Sequence, residues 1–142
     1  MKMLSLLLIA VLPILAQAQP ADSWKVIHNG KTRLTAHAEN ATANTITIRR
    51  ADLAKGAGLQ VVYAPGTPSA DWIRTIALYA PDDTELATGS GNRFTISNAR
   101  LRKLFAGRTQ LMVYTISLPK DPAKRALVRV RRIHLCTIVL KG

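Results

Sequence analysis

The stretch Trp24-Lys25-Val26-Ile27-His28-Asn29-Gly30-Lys31-Thr32-Arg33-Leu34-Thr35-Ala36-His37 decides the fold class. Two β-prone runs, residues 24–28 and 32–37, flank the pair Asn29-Gly30. Asn and Gly tolerate the positive φ angles that both central positions of a type I′ turn demand, and that turn matches the twist of an antiparallel two-stranded ribbon. The stretch is therefore predicted to be a β-hairpin.

Outward from it the same grammar continues. Thr45-Ile46-Thr47-Ile48-Arg49 alternates with period two, placing Ile46 and Ile48 on one face and Thr45, Thr47 and Arg49 on the other, as in a strand with one wet side. Residues 59–64, 73–80 and 93–97 read as further strands. The segments Pro65-Gly66-Thr67-Pro68, Pro81-Asp82-Asp83 and Gly89-Ser90-Gly91-Asn92 between them carry turn chemistry. Residues 111–118 are apolar at both parities, which predicts a central strand covered on both faces. Residues 126–140 read as one long strand. Its first half sets Val128 and Val130 against Arg129 and Arg131, and Arg132 breaks the parity, so a bulge is predicted near Arg131-Arg132.

One short helix is predicted. Ser97 or Asn98 can cap it, Leu101, Leu104 and Phe105 fall at i, i+3 and i+4, and Gly107 stands where a helix ends. Residues 52–56 suggest a further single turn. There is no internal repeat, low-complexity segment or shift of composition. The prediction is an all-β, antiparallel β-sandwich, Ig-like in size, with about seven to nine strands and one short helix, forming a single domain over residues 19–142.

The first residues read differently. Met1-Lys2-Met3 precedes an almost wholly apolar run over residues 4–15, followed by Ala16-Gln17-Ala18, the small-x-small pattern of a cleavage site. Residues 1–18 are predicted to be a signal peptide. The run is too short to cross a bilayer comfortably, and no second long apolar run follows, so the mature form is expected to have no transmembrane anchor. The expected location is exported, periplasmic or secreted.

Composition bounds the function classes. Twenty Lys and Arg stand against eight Asp and Glu, a formal net charge of +12. Such a balance attracts anionic polymers and anionic membrane surfaces, and it also serves solubility alone. No run of five or six like charges marks a disordered basic tail. Nucleic acid is disfavoured as a partner: with two Trp, three Tyr and two Phe, no stacking platform beside the basic residues is expected. Cys136 is the one cysteine. That excludes an intramolecular disulfide framework and the multi-thiolate zinc and iron–sulfur sites, and Gln19 stands where a lipidated cysteine would be needed.

Motifs for catalysis are absent. There is no Gly-x-Ser-x-Gly elbow, no His-Glu-x-x-His and no Gly-x-x-x-x-Gly-Lys loop. Asp82-Asp83-Thr84-Glu85 reads as a solvated turn. No cofactor is implied, and the expected role is that of a non-enzymatic binding module. The arginines carry that reading. On one strand, Arg129 and Arg131 would stand on one face about 7 Å apart, extended by Arg132 and by Lys124 and Arg125 in the preceding loop. Guanidinium groups bind carboxylate, sulfate or phosphate bidentately, so the row is a candidate anion ladder for a glycan, a lipid headgroup or an acidic protein.

Two alternatives come from other classes. His134 and Cys136, two apart on a strand, would share a face and could form part of a soft-metal or thiol site, with His28, His37 or Met112 as a third ligand. Exposed strands could instead pair with another protein in an assembly. Trp72 begins a strand with Ile76 and Leu78 at the same parity and is expected in the core.

Overall fold

The computed structural model describes residues 21–67 and 70–142; the signal-peptide reading of residues 1–18 lies outside them. Nine strands form: β1 (Ser23–His28), β2 (Lys31–Ala36), β3 (Thr45–Arg49), β4 (Leu59–Ala64), β5 (Trp72–Tyr79), β6 (Glu85–Ser90), β7 (Arg93–Ile96), β8 (Gln110–Pro119) and β9 (Ile133–Lys141). A 3₁₀ turn spans Arg50–Leu53. The helix α1 spans Asn98–Leu104, and a single helical turn, α2, spans Pro122–Arg125.

The hairpin forms as its turn chemistry dictates. Asn29 has φ 50° and Gly30 φ 79°, and β1 pairs β2 with His28 opposite Lys31. The chain builds two sheets, β2-β1-β4-β7 and β3-β9-β8-β5-β6, and the predicted all-β sandwich is what results. Pairing is antiparallel throughout except for β3 and β9, which run parallel from Thr45 opposite Thr137 to Arg49 opposite Lys141. The crossing from β2 to β3 causes this, since it carries the chain into the other sheet beside its last strand. Asn44 fixes the crossing, donating from its side chain to the Ala38 carbonyl and accepting from the Thr137 amide at its own carbonyl.

The inward parity of each sheet supplies one continuous core. Val26, Val61, Leu59 and Phe94 come from one sheet; Ile46, Ile48, Ile76, Leu78, Leu111, Val113 and Ile138 come from the other. Leu101 and Phe105 of α1 and Leu53 of the 3₁₀ turn close one end. Ser97 caps α1, its hydroxyl accepting from the Arg100 amide at 3.2 Å, as its place before the apolar i, i+3, i+4 positions suggests.

Three local expectations are corrected. Glu85–Ser90 is a strand, so Gly89-Ser90 belongs to β6 and only Gly91-Asn92 turns the chain toward β7. Gly89 is suited to that strand because a Cβ there would lie 3.1 Å from the Phe94 ring. The second concerns residues 126–140: the strand begins at Ile133, and residues 126–132 lie outside the ladder. There Arg131 pairs with Glu39 at 2.7 Å and Arg132 with Asp83 at 2.7 Å, contacts with residues remote in sequence. The third is the bulge itself. Val113 faces Cys136 and Tyr114 faces His134, so the extra residue is Leu135, not Arg131 or Arg132. The Trp24 indole reaches across from the other sheet and donates to the Leu135 carbonyl at 2.9 Å, satisfying the group that the bulge frees.

Candidate functional site

The bulge decides what β9 presents. Leu135 and Cys136 both enter the core with no exposed surface. His134 stays on the outer side, in a hollow lined by Glu39, Met112, Tyr114 and Thr137. The His134/Cys136 pair therefore does not share a face, and the metal-or-thiol alternative loses its geometry. Met112 does come beside His134, but His28 is buried elsewhere, bonded to Asn98 at 2.9 Å, and His37 is exposed. Among the described residues no group of three or more His, Cys, Asp or Glu is placed to hold a metal. Burial pushes the Cys136 thiol up to about 12, which keeps it protonated. Burial also lowers the His134 imidazole below its ordinary 6.5, against the pull of Glu39.

The five cations of the expected ladder divide into two groups. Arg131 and Arg132 hold the chain to the sandwich. Arg131 pairs with Glu39, whose other carboxylate oxygen accepts the His134 amide at 2.8 Å. These two hydrogen bonds, Arg131's first, hold Glu39 below its usual range. Arg132 pairs with Asp83 and lies 3.9 Å from the Tyr114 ring centre and 4.8 Å from that of Tyr79. Tyr114 in turn meets His134 edge-on, centroids 5.4 Å apart. Aromatic rings do gather beside a basic residue here, contrary to expectation, but the guanidinium already covers the Tyr114 face.

Lys124, Arg125 and Arg129 form the other group. All three are exposed, on the excursion over residues 120–132 that joins β8 to β9. Asp121 caps α2, accepting from the Ala123 amide at 3.0 Å. Arg125 is steered by one bond, its Nε donating to the Pro119 carbonyl at 2.8 Å. None of the three forms an ion pair among the described residues. Lys120 belongs with them: it is exposed, and its amide donates to the Asp71 carbonyl at 2.7 Å.

That bond ties the excursion to the start of β5, where Trp72 faces Pro119 and Ile73 faces Leu118. Trp72 is 39 % exposed, so the expectation that it fills the core is overturned; as the first residue of β5 it lies at the strand end, in an open hollow lined also by Pro65, Thr67, Arg74 and Asn92. Arg74, next at that parity, is tied internally. It lies 3.8 Å from the Tyr63 ring centre and donates to Thr115 Oγ1 at 3.1 Å. Tyr63 donates to Asp22, whose carboxyl that bond lowers. Burial first, and Asp22 second, push Tyr63 up to about 12.

Sequence reasoning missed one basic place. Where the edge strands β2 and β3 face each other across the sandwich, Lys31, Arg33, Arg49 and Asp52 line an open cleft of about 660 Å³ with His28 and Asn29 at its side. Arg33 closes part of it by donating to the Thr47 carbonyl at 2.6 Å, and Arg49 pairs with Asp52 at 3.3 Å. No local pattern signals this, because it depends on which edges of two sheets meet. The strands that could offer themselves for pairing are those edges, β2, β7, β3 and β6; β8 and β9 are paired on both sides.

No helix among the described residues is long and apolar enough to cross a membrane. No family model matches the chain, and no similar curated protein or solved structure was found.

Proposed function

We propose that this chain is an exported, non-enzymatic β-sandwich that binds an anionic partner through the corner where the β8–β9 excursion meets the start of β5. Lys124, Arg125 and Arg129 make the contacts, with Lys120 beside them. Arg131 and Arg132 fasten the excursion to Glu39 and Asp83 so that the other cations stand on a braced loop. The observation that carries the reading is this division of labour: Arg131 and Arg132 are paired with Glu39 and Asp83, and the exposed cations before them have no ion-pair partner among the described residues. Charge-assisted hydrogen bonds to phosphate, sulfate or carboxylate oxygens are what such groups offer, and their attraction falls as salt screens it.

The test is elution of residues 19–142 from a sulfated-polysaccharide column in a salt gradient. The variant Lys124→Ser, Arg125→Ser, Arg129→Ser is compared with Arg100→Ser, Arg102→Ser, Lys103→Ser on α1, which removes the same charge elsewhere. The corner variant is expected to elute at clearly lower salt than the α1 variant. Equal shifts would mean that the charge acts diffusely and that the corner is no site.

A further inference from the structure

Among the described residues three large hydrophobic side chains are exposed: Trp72 at 39 %, Ile73 at 39 % and Leu127 at 84 %. They lie on the first two residues of β5 and on the excursion that leaves Pro119; Trp72 and Ile73, being consecutive, leave the strand end on opposite sides. Trp72 and Ile73 pair with Pro119 and Leu118 at the last rungs of β8. Leu127 follows α2 directly, its amide donating to the Lys124 carbonyl at 3.1 Å, and the Arg125 side chain of the same turn reaches back to the Pro119 carbonyl. Elsewhere on the described surface no large apolar side chain is exposed. Scattered single apolar residues would carry no meaning, but their confinement to one corner does.

The charge at that corner has one dominant sign. Lys120, Lys124, Arg125 and Arg129 are exposed on the excursion that carries Leu127, and the carboxylates of the same segments are Asp71 and Asp121, the latter engaged in capping α2. We propose that this corner docks reversibly on an anionic lipid bilayer, with Trp72, Ile73 and Leu127 entering the interface and the four cations lying at headgroup level. The inference rests on the anionic-partner reading and names the partner. A glycan or a soluble polyanion has no use for an 84 %-exposed leucine at a loop tip. A protein partner would need preformed pockets for three separately protruding side chains, whereas a bilayer interface yields to them. Apolar insertion and a basic cluster are the two signals that together give stable surface binding, where either alone is marginal. Tryptophan at a strand end suits the interface because its ring is apolar with one polar edge.

The tryptophans make this testable, since Trp24 is buried and Trp72 exposed. Residues 19–142 contain every core residue among the described ones and are mixed with phosphatidylcholine vesicles with and without phosphatidylglycerol. Co-sedimentation and tryptophan emission are followed for the parent, for Trp72→Phe, which keeps most of the ring, and for Leu127→Ser, whose side chain is 84 % exposed. The same proteins are run on the sulfated-polysaccharide column, and the Lys124→Ser, Arg125→Ser, Arg129→Ser variant is carried through both assays. Binding is expected only with phosphatidylglycerol, with a blue shift that Trp72→Phe abolishes and a roughly tenfold or greater loss of vesicle affinity for Leu127→Ser, while retention on the column is unchanged. If the column retains the protein through the corner cations but vesicles do not bind it, or bind Leu127→Ser equally, the bilayer inference is overturned and the anionic-partner reading stands. If the corner cations matter on neither surface, both fall.

Discussion

At the scale of single residues, a few polar side chains hold the two sheets in register. Trp24 Nε1 donates to the carbonyl that the Leu135 bulge releases. Trp24→Phe keeps most of the ring but leaves that buried acceptor alone, which is expected to cost about 1–3 kcal/mol in urea unfolding; Trp72→Phe is expected to change stability by less than about 0.5 kcal/mol. Asn98 holds the far end of the molecule. Its amide donates to Asn29 Oδ1 at 2.8 Å and to the Lys55 carbonyl at 2.9 Å, so its oxygen faces His28, and His28 Nε2 carries the proton. Asn98→Leu breaks three bonds at once and is expected to destabilise by at least about 2 kcal/mol. His134 sets a pH dependence. Its imidazole is held neutral below the ordinary 6.5 by burial, and its Nδ1 is buried without a partner. As pH falls below 6.5 the unfolded chain takes up a proton that the folded one resists, so stability drops. The denaturation midpoint is expected to fall between about pH 7.5 and about pH 5.5, and His134→Gln is expected to flatten that fall. Glu39, held below 4.5, contributes in the same direction at lower pH, because its stabilisation is present above 4.5 and is lost as pH drops through its folded value.

At the scale of elements, legibility followed how local the deciding interaction is. The β1–β2 hairpin depends on two adjacent residues, Asn29 and Gly30, and was readable from them. So was α1, whose cap and apolar spacing lie within nine residues of one another; Ser97→Ala is expected to lower stability by about 1 kcal/mol, measured in urea. Within β6, Gly89 and Ser90 carry turn chemistry in the sequence, and only the Phe94 ring beside Gly89 shows why a glycine belongs in the strand there. The start of β9 was misplaced for a related reason. The alternation Val128-Arg129-Val130-Arg131 is the pattern of a half-exposed strand, but the ladder begins at Ile133, and Arg131 and Arg132 pair with Glu39 and Asp83, far away in sequence. The bulge then falls at Leu135 and separates His134 from Cys136, a consequence that no count of intervening residues contains. Cys136, buried in the core with its thiol pushed up to about 12, is expected to resist alkylation at neutral pH in the native protein and to react fully once denatured; quantitative native labelling would mean that β9 opens.

At the scale of the whole molecule, the excess of positive charge is spread over both sheets and α1, and composition alone does not say whether any part of it is a site. Three ion pairs form among the described residues. Two of them brace one excursion, and the three large exposed apolar side chains gather at its root and tip. The candidate cations Lys124, Arg125 and Arg129 could be named from the sequence as a basic segment. Their meeting with Trp72 and Ile73 could not, because it depends on β5 and β8 pairing in a register that ends with Trp72 opposite Pro119. The claim that charge here is localised into a site is tested most directly by following backbone amide resonances while residues 19–142 are titrated with dextran sulfate. The largest shifts are expected to fall on residues 120–129 and on 71–73, and to shrink as salt is added. Shifts of similar size on α1, along β2 and at the β5–β8 corner alike would contradict the account and leave the net charge as a property of the surface as a whole.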